Sequence, residues 1–253
     1  MIEPLLMASV RINTFDGSAV LTSASGFFFH RDGRLHLVTA RHVVFEPTID
    51  HRPDRIEIEI HTDADDLGQS IGFSIPLYRD GQALWRDAVD SDGVVDVAVI
   101  DINVAALPAS AAYRAFTPDL LLKPDQHVEI GTALLAVGYP LGFQDMLHHL
   151  PVARHATLAS SFGLRFQGKG YFLIDARTHR GISGAPVVMR VPDADASEAL
   201  PWRLLGVHSS RLESGTRDPQ LDETLGLNAV WYADVLMALT GASVETGYEE
   251  RRL

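Results

Sequence analysis

Three short segments of this 253-residue chain hold side chains whose types and order suit acyl transfer. Leu37–Val43 reads LVTARHV and carries His42 at the end of an apolar run. Val95–Val99 reads VDVAV and places Asp96 at the start of one. Gly181–Pro186 reads GISGAP and surrounds Ser183 with small residues. A histidine can take the proton of a hydroxyl, a carboxylate can orient the imidazole and stabilise its cation, and the freed oxygen can attack a carbonyl. Each segment alone is a weak signal; all three in one chain and in this order make a strong one.

The serine segment has further features that acyl transfer requires. Two backbone N–H groups must converge on the oxygen that becomes negative. Gly181 opens conformations closed to residues with a Cβ, and Gly184 lets neighbouring backbone come close. The expected donors are the N–H groups of Gly181 and Ser183. Taken alone, the hexapeptide reads equally well as a turn between strands, and its two companion segments decide for chemistry. Asp96 enters an apolar strand, where a carboxylate is costly unless hydrogen-bonded, and an imidazole N–H is one suitable partner. Asp90 and Asp92 lie in a turn-like stretch and Asp101 reads as an exposed strand residue. Of the other histidines, His148, His149 and His155 lie near one another but lack a metal-ligand pattern, so neither a metal nor another cofactor is expected.

The elements that must position these residues are mostly strands. Ser9–Thr14 alternates polar and apolar, and Arg55–Ile60 alternates strictly with its isoleucines on one face. Gly26–His30, the turn Arg31–Arg34 and Leu35–Thr39 read as a hairpin. Val95–Ile102 reads as a short apolar strand. Residues 105–125 are punctuated by Pro108, Pro118 and Pro124 and read as a connection, with a short helix over Ala109–Phe116. Strand signals resume at Ala133–Val137, His155–Ala159, Tyr171–Ile174, Pro186–Met189 and Arg203–His208. Ala229–Leu239 has helical spacing, with Gly241 placed to close it. Asp63–Asp66 and Asp193–Asp195 read as solvated loops, and the last dozen residues as loose. Many short strands with frequent turns indicate an all-β barrel or sandwich fold.

Composition narrows the classes. Apolar residues make up 46% and charged residues 21% of the chain, ordinary for a globular protein. There is no cysteine, so disulfide and thiol chemistry are excluded. A formal net charge of −12 argues against nucleic-acid partners. No apolar run is long enough for membrane insertion. The first residues, MIEPLLM, do not read as a signal peptide. The expected location is the cytoplasm, or the periplasm or exterior if a leader was removed.

On these residues the chain resembles the chymotrypsin-fold (trypsin-like) serine peptidases, specifically the cysteine-free bacterial branch with the HtrA-type proteases and glutamyl endopeptidases. The family's His, Asp and Ser motifs fall on TARH ending at His42, DVAV beginning at Asp96 and GISG around Ser183. Ala136–Gly142 (AVGYPLG), Ile174–Gly181 (IDARTHRG) and Leu205–Ser209 (LGVHS) resemble the opening of the second barrel, the run into the nucleophile and the strand beside the specificity pocket. The resemblance implies two six-stranded antiparallel β-barrels with a C-terminal helix. Residues 1–104 would form the first barrel, 105–125 the connection, 126–228 the second barrel, and 229–253 the helix and tail. It leaves no room for a PDZ domain after the second barrel. It also implies that Ser209 supports the buried Asp96. Relatives activated by cleavage carry an Asp just before the nucleophile; Ile182 stands there, so that switch is expected to be absent. Whether the oxyanion loop forms at rest or needs a partner stays open.

The family's pocket floor falls on Arg177, which argues against cleavage after Lys or Arg. Thr178 and His208 match residues that Glu- and Gln-selective relatives use, and Arg180 and Arg211 fall near the rim. Four potentially cationic groups would favour an anionic side chain, so cleavage after Glu, and less so Asp or Gln, is expected. The bland alternative has some of these arginines facing solvent and His208 as a hydrogen-bonded strand histidine. The leading expectation is a serine endopeptidase acting on protein or peptide substrates. The alternative is a catalytically silent or partner-activated module serving binding or regulation. An esterase is disfavoured, because the Gly-x-Ser-x-Gly elbow is missing. Oligomeric state cannot be read.

Overall fold

The computed structural model describes residues 2–123, 126–191, 200–212 and 225–241. The first half contains β1 (Ser9–Asp16), β2 (Ala19–Arg31), β3 (Arg34–Thr39), β4 (Arg55–His61), β5 (Ser70–Pro76), β6 (Tyr78–Arg79), β7 (Gln82–Ala83), β8 (Trp85–Asp90) and β9 (Gly93–Ile102), with one helical turn, α1 (Arg41–Val44). The second half contains β10 (Ala133–Gly138), β11 (Val152–Leu158), β12 (Tyr171–Asp175), β13 (Pro186–Arg190), β14 (Trp202–Arg211), β15 (Leu227–Tyr232) and α2 (Val235–Leu239). The second set closes into a six-stranded antiparallel barrel in the order β10-β11-β12-β15-β14-β13. The first set differs from the expected six strands. It is a seven-stranded antiparallel sheet, β5-β4-β1-β2-β3-β9-β8, with β6 and β7 as a separate hairpin.

Two apolar strands explain how the halves meet. Alternate side chains of a strand point to opposite faces. In β2, Phe28 enters the core of the first sheet, whereas Phe27 and Phe29 join a cluster reaching Leu173, Leu204 and Trp231 of the second barrel. In β9, Ala98 and Ile100 face the first core, and Val95, Val97 and Val99 face the shared cluster. Both faces are therefore buried, which is why FFF and VDVAVI are nearly continuous apolar runs. Strand β4 shows the half-buried pattern instead, with Ile56, Ile58 and Ile60 inside.

Two expected helices are corrected. Ala109–Phe116 is not helical, although alanines favour helix: Ala109 and Ser110 make a turn, and residues 111–116 run on with isolated bridges at Ala112 and Phe116. Its backbone spends its hydrogen bonds on neighbours: Ala112 N–H to His61 O, Arg114 N–H to Met7 O and Phe116 N–H to Phe28 O. Ala111, Tyr113 and Ala115 then pack on the first core while Phe116 is buried in the shared cluster. The helix expected over Ala229–Leu239 begins only at Val235. Ala229–Tyr232 belongs to β15, which pairs with β12 on one side and β14 on the other and closes the barrel. An unbroken apolar run fits either period, and pairing on both edges settles it as strand. The short helix α2 then returns to the first sheet. Arg31 Nη1 donates to Met237 O at 2.6 Å and Arg86 Nε to Leu239 O at 2.8 Å. Among the described residues no helix is long and apolar enough to cross a membrane. Asp193–Asp195 and the final dozen residues lie outside the described residues.

Candidate active site

His42 stands on α1, directly after β3. Thr39 Oγ1 fixes the end of that strand by donating to Ser25 O at 2.8 Å. Arg41 anchors the helical turn through Asp87 (Nε to Oδ2, 2.7 Å) and stacks over Phe45 and Trp85. Asp96, at the mouth of the first sheet, reaches the imidazole. Its Oδ2 accepts from His42 Nδ1 at 2.8 Å and its Oδ1 accepts from the His42 backbone N–H at 2.9 Å. From the other barrel, Ser209 Oγ donates to Asp96 Oδ2 at 2.5 Å. The carboxylate is satisfied from three directions, which removes the cost of placing it in a largely apolar strand.

Charge follows from these contacts. Burial works against the protonated imidazole, but the hydrogen bond to Asp96 and its charge, with a contribution from Glu46, hold His42 above its ordinary value of 6.5. Burial likewise pushes Asp96 up, yet its bonds to His42 and Ser209 hold it below the usual carboxylate value. The pair is an ionised acid beside an imidazole made more basic, with a third of the His42 side chain (33%) open to solvent.

Ser183 lies in a turn whose backbone belongs to both halves. Gly184 N–H donates to His208 O, and Ser183 O accepts from Ser25 N–H of β2. Gly181 and Gly184 have φ of +92° and +84°. A Cβ on Gly184 would run into Ser25 O and Thr39 Oγ1. Two of the bonded carbonyls in the turn set the N–H groups that follow them: Arg180 O is held by Leu141 N–H at 2.6 Å and Ile182 O by Ala185 N–H at 3.0 Å. In a trans peptide the C=O and the following N–H point opposite ways, so the N–H groups of Gly181 and Ser183 turn away from those contacts. Neither donates a hydrogen bond among the described residues. The Ser183 hydroxyl donates to Ser209 O at 3.0 Å rather than to His42. Passing its proton to the imidazole requires it to leave that carbonyl.

The expected pocket residues separate into two groups. Thr178 and His208 are buried together on Asn228 of β15: the Thr178 hydroxyl donates to Asn228 Oδ1, and His208 Nε2 lies 3.2 Å from the same atom. Asn228 Nδ2 donates to Ala176 O and Gly226 O, both at 2.8 Å. Arg177, Arg180 and Arg211 are exposed. The expectation of a cationic His208 is corrected. Burial, opposed only in part by the hydrogen bond to Asn228, lowers it to about 4, so it is a neutral imidazole at neutral pH. Its Nδ1 is buried and finds no hydrogen-bond partner among the described residues. Asn228 and Ser25 were not among the expected site residues. The signal available for Asn228 was a lone amide inside an otherwise apolar strand; Ser25 lies in the mixed run TSASG and had none. Among the described residues no group of three or more His, Asp or Glu side chains is placed to hold a metal ion.

The architecture is that of the chymotrypsin-fold serine peptidases. The chain belongs to the trypsin-like peptidase domain family, whose match covers residues 24–190 and so includes His42, Asp96 and Ser183. Among solved structures it is similar to the active form of the Rv3671c protease from M. tuberculosis, with 17% identity and a TM-score of 0.51 over 97% of this chain and 87% of that one. It is also similar to the serine endoprotease from Yersinia pestis, with 16% identity and a TM-score of 0.54 over 93% of this chain; it spans 62% of that chain. At these identities the likeness speaks for the fold. Comparison with curated proteins returned no match.

Proposed function

We propose that this chain is a serine endopeptidase in which Ser183 attacks the peptide carbonyl, His42 takes its proton and Asp96 holds the imidazole. The observation that carries the reading is the bridge from Ser209 through Asp96 to His42, built from both barrels. Asp96 Oδ2 keeps the proton on Nδ1, which leaves Nε2 as the base. The imidazolium formed during attack is stabilised by the same carboxylate. The N–H groups of Gly181 and Ser183 receive the oxyanion. His42 then protonates the leaving amine, and water releases the acyl group by the reverse sequence. Because His42 must be neutral to act, activity falls as pH drops through a value above 6.5.

The first test is labelling by a fluorophosphonate probe. Wild type is labelled on one serine, and Ser183→Ala keeps its fold and loses the label. Undiminished labelling of that variant refutes the assignment of the nucleophile.

For the side chain before the scissile bond we propose a preference for Glu, with Asp and Gln accepted less well. Support comes from Thr178 and His208 converging on one polar spot and from the exposed Arg177, Arg180 and Arg211 on the flanking segments. His208 contributes a neutral dipole, so the charge that meets a carboxylate must come from the arginines. Digestion of a peptide library decides: cleavage mainly after Lys, Arg or large apolar residues refutes the preference. The second reading, a silent or partner-activated module, draws on the Ser183 hydroxyl resting on Ser209 O. A purified protein that binds a peptide without cleaving it or reacting with the probe would favour that reading.

A further inference from the structure

We propose that Ser25 of β2 is a positioning residue that holds the Gly181 N–H in its oxyanion-binding orientation, so that the first sheet sets a donor carried by the second barrel. The inference rests on the serine-peptidase reading above. Ser25 is fully buried; its hydroxyl and its N–H are engaged across the interface, and its carbonyl within the first sheet. Its Oγ accepts from Tyr139 N–H at 2.9 Å and donates to Gly181 O at 2.8 Å. Its N–H donates to Ser183 O at 2.9 Å, and its own carbonyl accepts from Thr39, three residues before His42. One residue therefore touches the segment leading to the base, the nucleophile itself and both sides of the oxyanion loop.

The hydroxyl does the part that backbone alone cannot. It joins the segment at Tyr139 to the segment at Gly181. Two residues beyond Tyr139, Leu141 N–H holds Arg180 O, the contact that turns the next N–H, that of Gly181, away from the loop. Leu141 sits at φ +55°, a conformation disfavoured for a residue with a Cβ, and its side chain is 71% exposed. The Leu141 side chain adds little packing, so that peptide is held by its neighbours: buried Pro140 and the turn that Gly142 N–H closes on Tyr139 O. Space has been kept for the hydroxyl: a Cβ on Gly138 would collide with the Ser25 side chain. Without Oγ, Tyr139 N–H and Gly181 O lose a shared partner in a dry interface, and the Arg180–Gly181 peptide is free to turn over.

The test compares second-order rates of fluorophosphonate labelling in the full chain. Direct loss of one oxyanion donor costs about 10²–10³-fold in rate. Ser25→Ala, which displaces a donor rather than deleting it, is expected to slow labelling about 10–100-fold while the final labelled fraction stays at the wild-type level. Ser9→Ala is the control. It removes another buried serine bond between the barrels, Oγ to Val137 O at 3.2 Å, without touching the oxyanion loop. It should lose similar thermal stability and label within about twofold of wild type. Ser25→Cys keeps a weak donor and acceptor and should fall between wild type and Ser25→Ala; it carries the test if the alanine variant fails to fold. A folded Ser25→Ala or Ser25→Cys labelled at the wild-type rate overturns the proposal and leaves the peptidase reading intact. An equal slowing in Ser9→Ala overturns it too. Wild type that does not label at all overturns the peptidase reading, and this one with it.

Discussion

Asp96→Asn isolates the orienting carboxylate, because the contacts dictate which way the amide must sit. The His42 backbone N–H can only donate, and it faces Asp96 Oδ1 at 2.9 Å. The amide oxygen is therefore held there, and Nδ2 takes the place of Oδ2, facing His42 Nδ1 and Ser209 Oγ. With a donor opposite it, Nδ1 becomes the acceptor and the ring proton moves to Nε2. The imidazole can then no longer receive the Ser183 proton. Restoring the working tautomer sets two donors against each other and forfeits a hydrogen bond to a charged acceptor, itself worth about 1.5–3 kcal/mol. A total of about 3–5 kcal/mol corresponds to a loss of about 10²–10⁴-fold in rate. The pH dependence supplies a second signature. Asp96 raises the His42 pKa against the opposing effect of burial, so its neutralisation lowers that pKa and moves the acid limb to lower pH. Fluorophosphonate labelling rates from pH 5 to 9 measure both quantities. A folded variant within tenfold of wild type at neutral pH, with an unmoved acid limb, refutes the role given to Asp96.

Three further outcomes follow from the packing. Gly184→Ala puts a Cβ onto Ser25 O, Thr39 Oγ1 and Ala40 N at φ +84°. It should cost at least about 3 kcal/mol in denaturant unfolding, and a loss under 1 kcal/mol would contradict the close approach. His208 is neutral when folded, with its pKa lowered to about 4 from 6.5. The unfolded chain gains that proton first, so stability contributed by the neutral ring is complete above 6.5 and declines toward pH 4, by about 3 kcal/mol at 1.36 kcal/mol per unit. His208→Gln should flatten this slope, and unfolding curves from pH 4 to 7 that remain parallel to wild type would exclude it. Arg86→Ala removes the bonds to Leu239 O and Asp101. It should lower stability by about 1–2 kcal/mol and speed amide exchange in α2; unchanged exchange would mean the helix is held by packing alone.

The catalytic segments could be read from the chain because their requirements are local. A histidine closing an apolar strand, a carboxylate opening one and a serine between glycines each leave a mark within a few residues. The hairpin from Gly26 to Thr39 and the alternation of Arg55–Ile60 were readable for the same reason. What escaped depends on partners far along the chain. Ala109–Phe116 looks helical until its hydrogen bonds to Met7, Phe28 and His61 are known. Trp231 and its neighbours fit a helix until β12 and β14 are found on both sides. Asn228 and Ser25 act through distant partners, among them Ala176, 52 positions from Asn228, and Gly181, 156 positions from Ser25. The neutrality of His208 is a property of its surroundings, and nothing in its flanking residues announces it.

The fastening of α2 onto β2 and β8 ties the last described helix back to the first sheet. During synthesis, His42 and Ser183 leave the ribosome well before Met237 and Leu239, whose carbonyls receive the two arginines. A nascent chain that ends before Met237 therefore lacks these two of the bonds that tie the halves together.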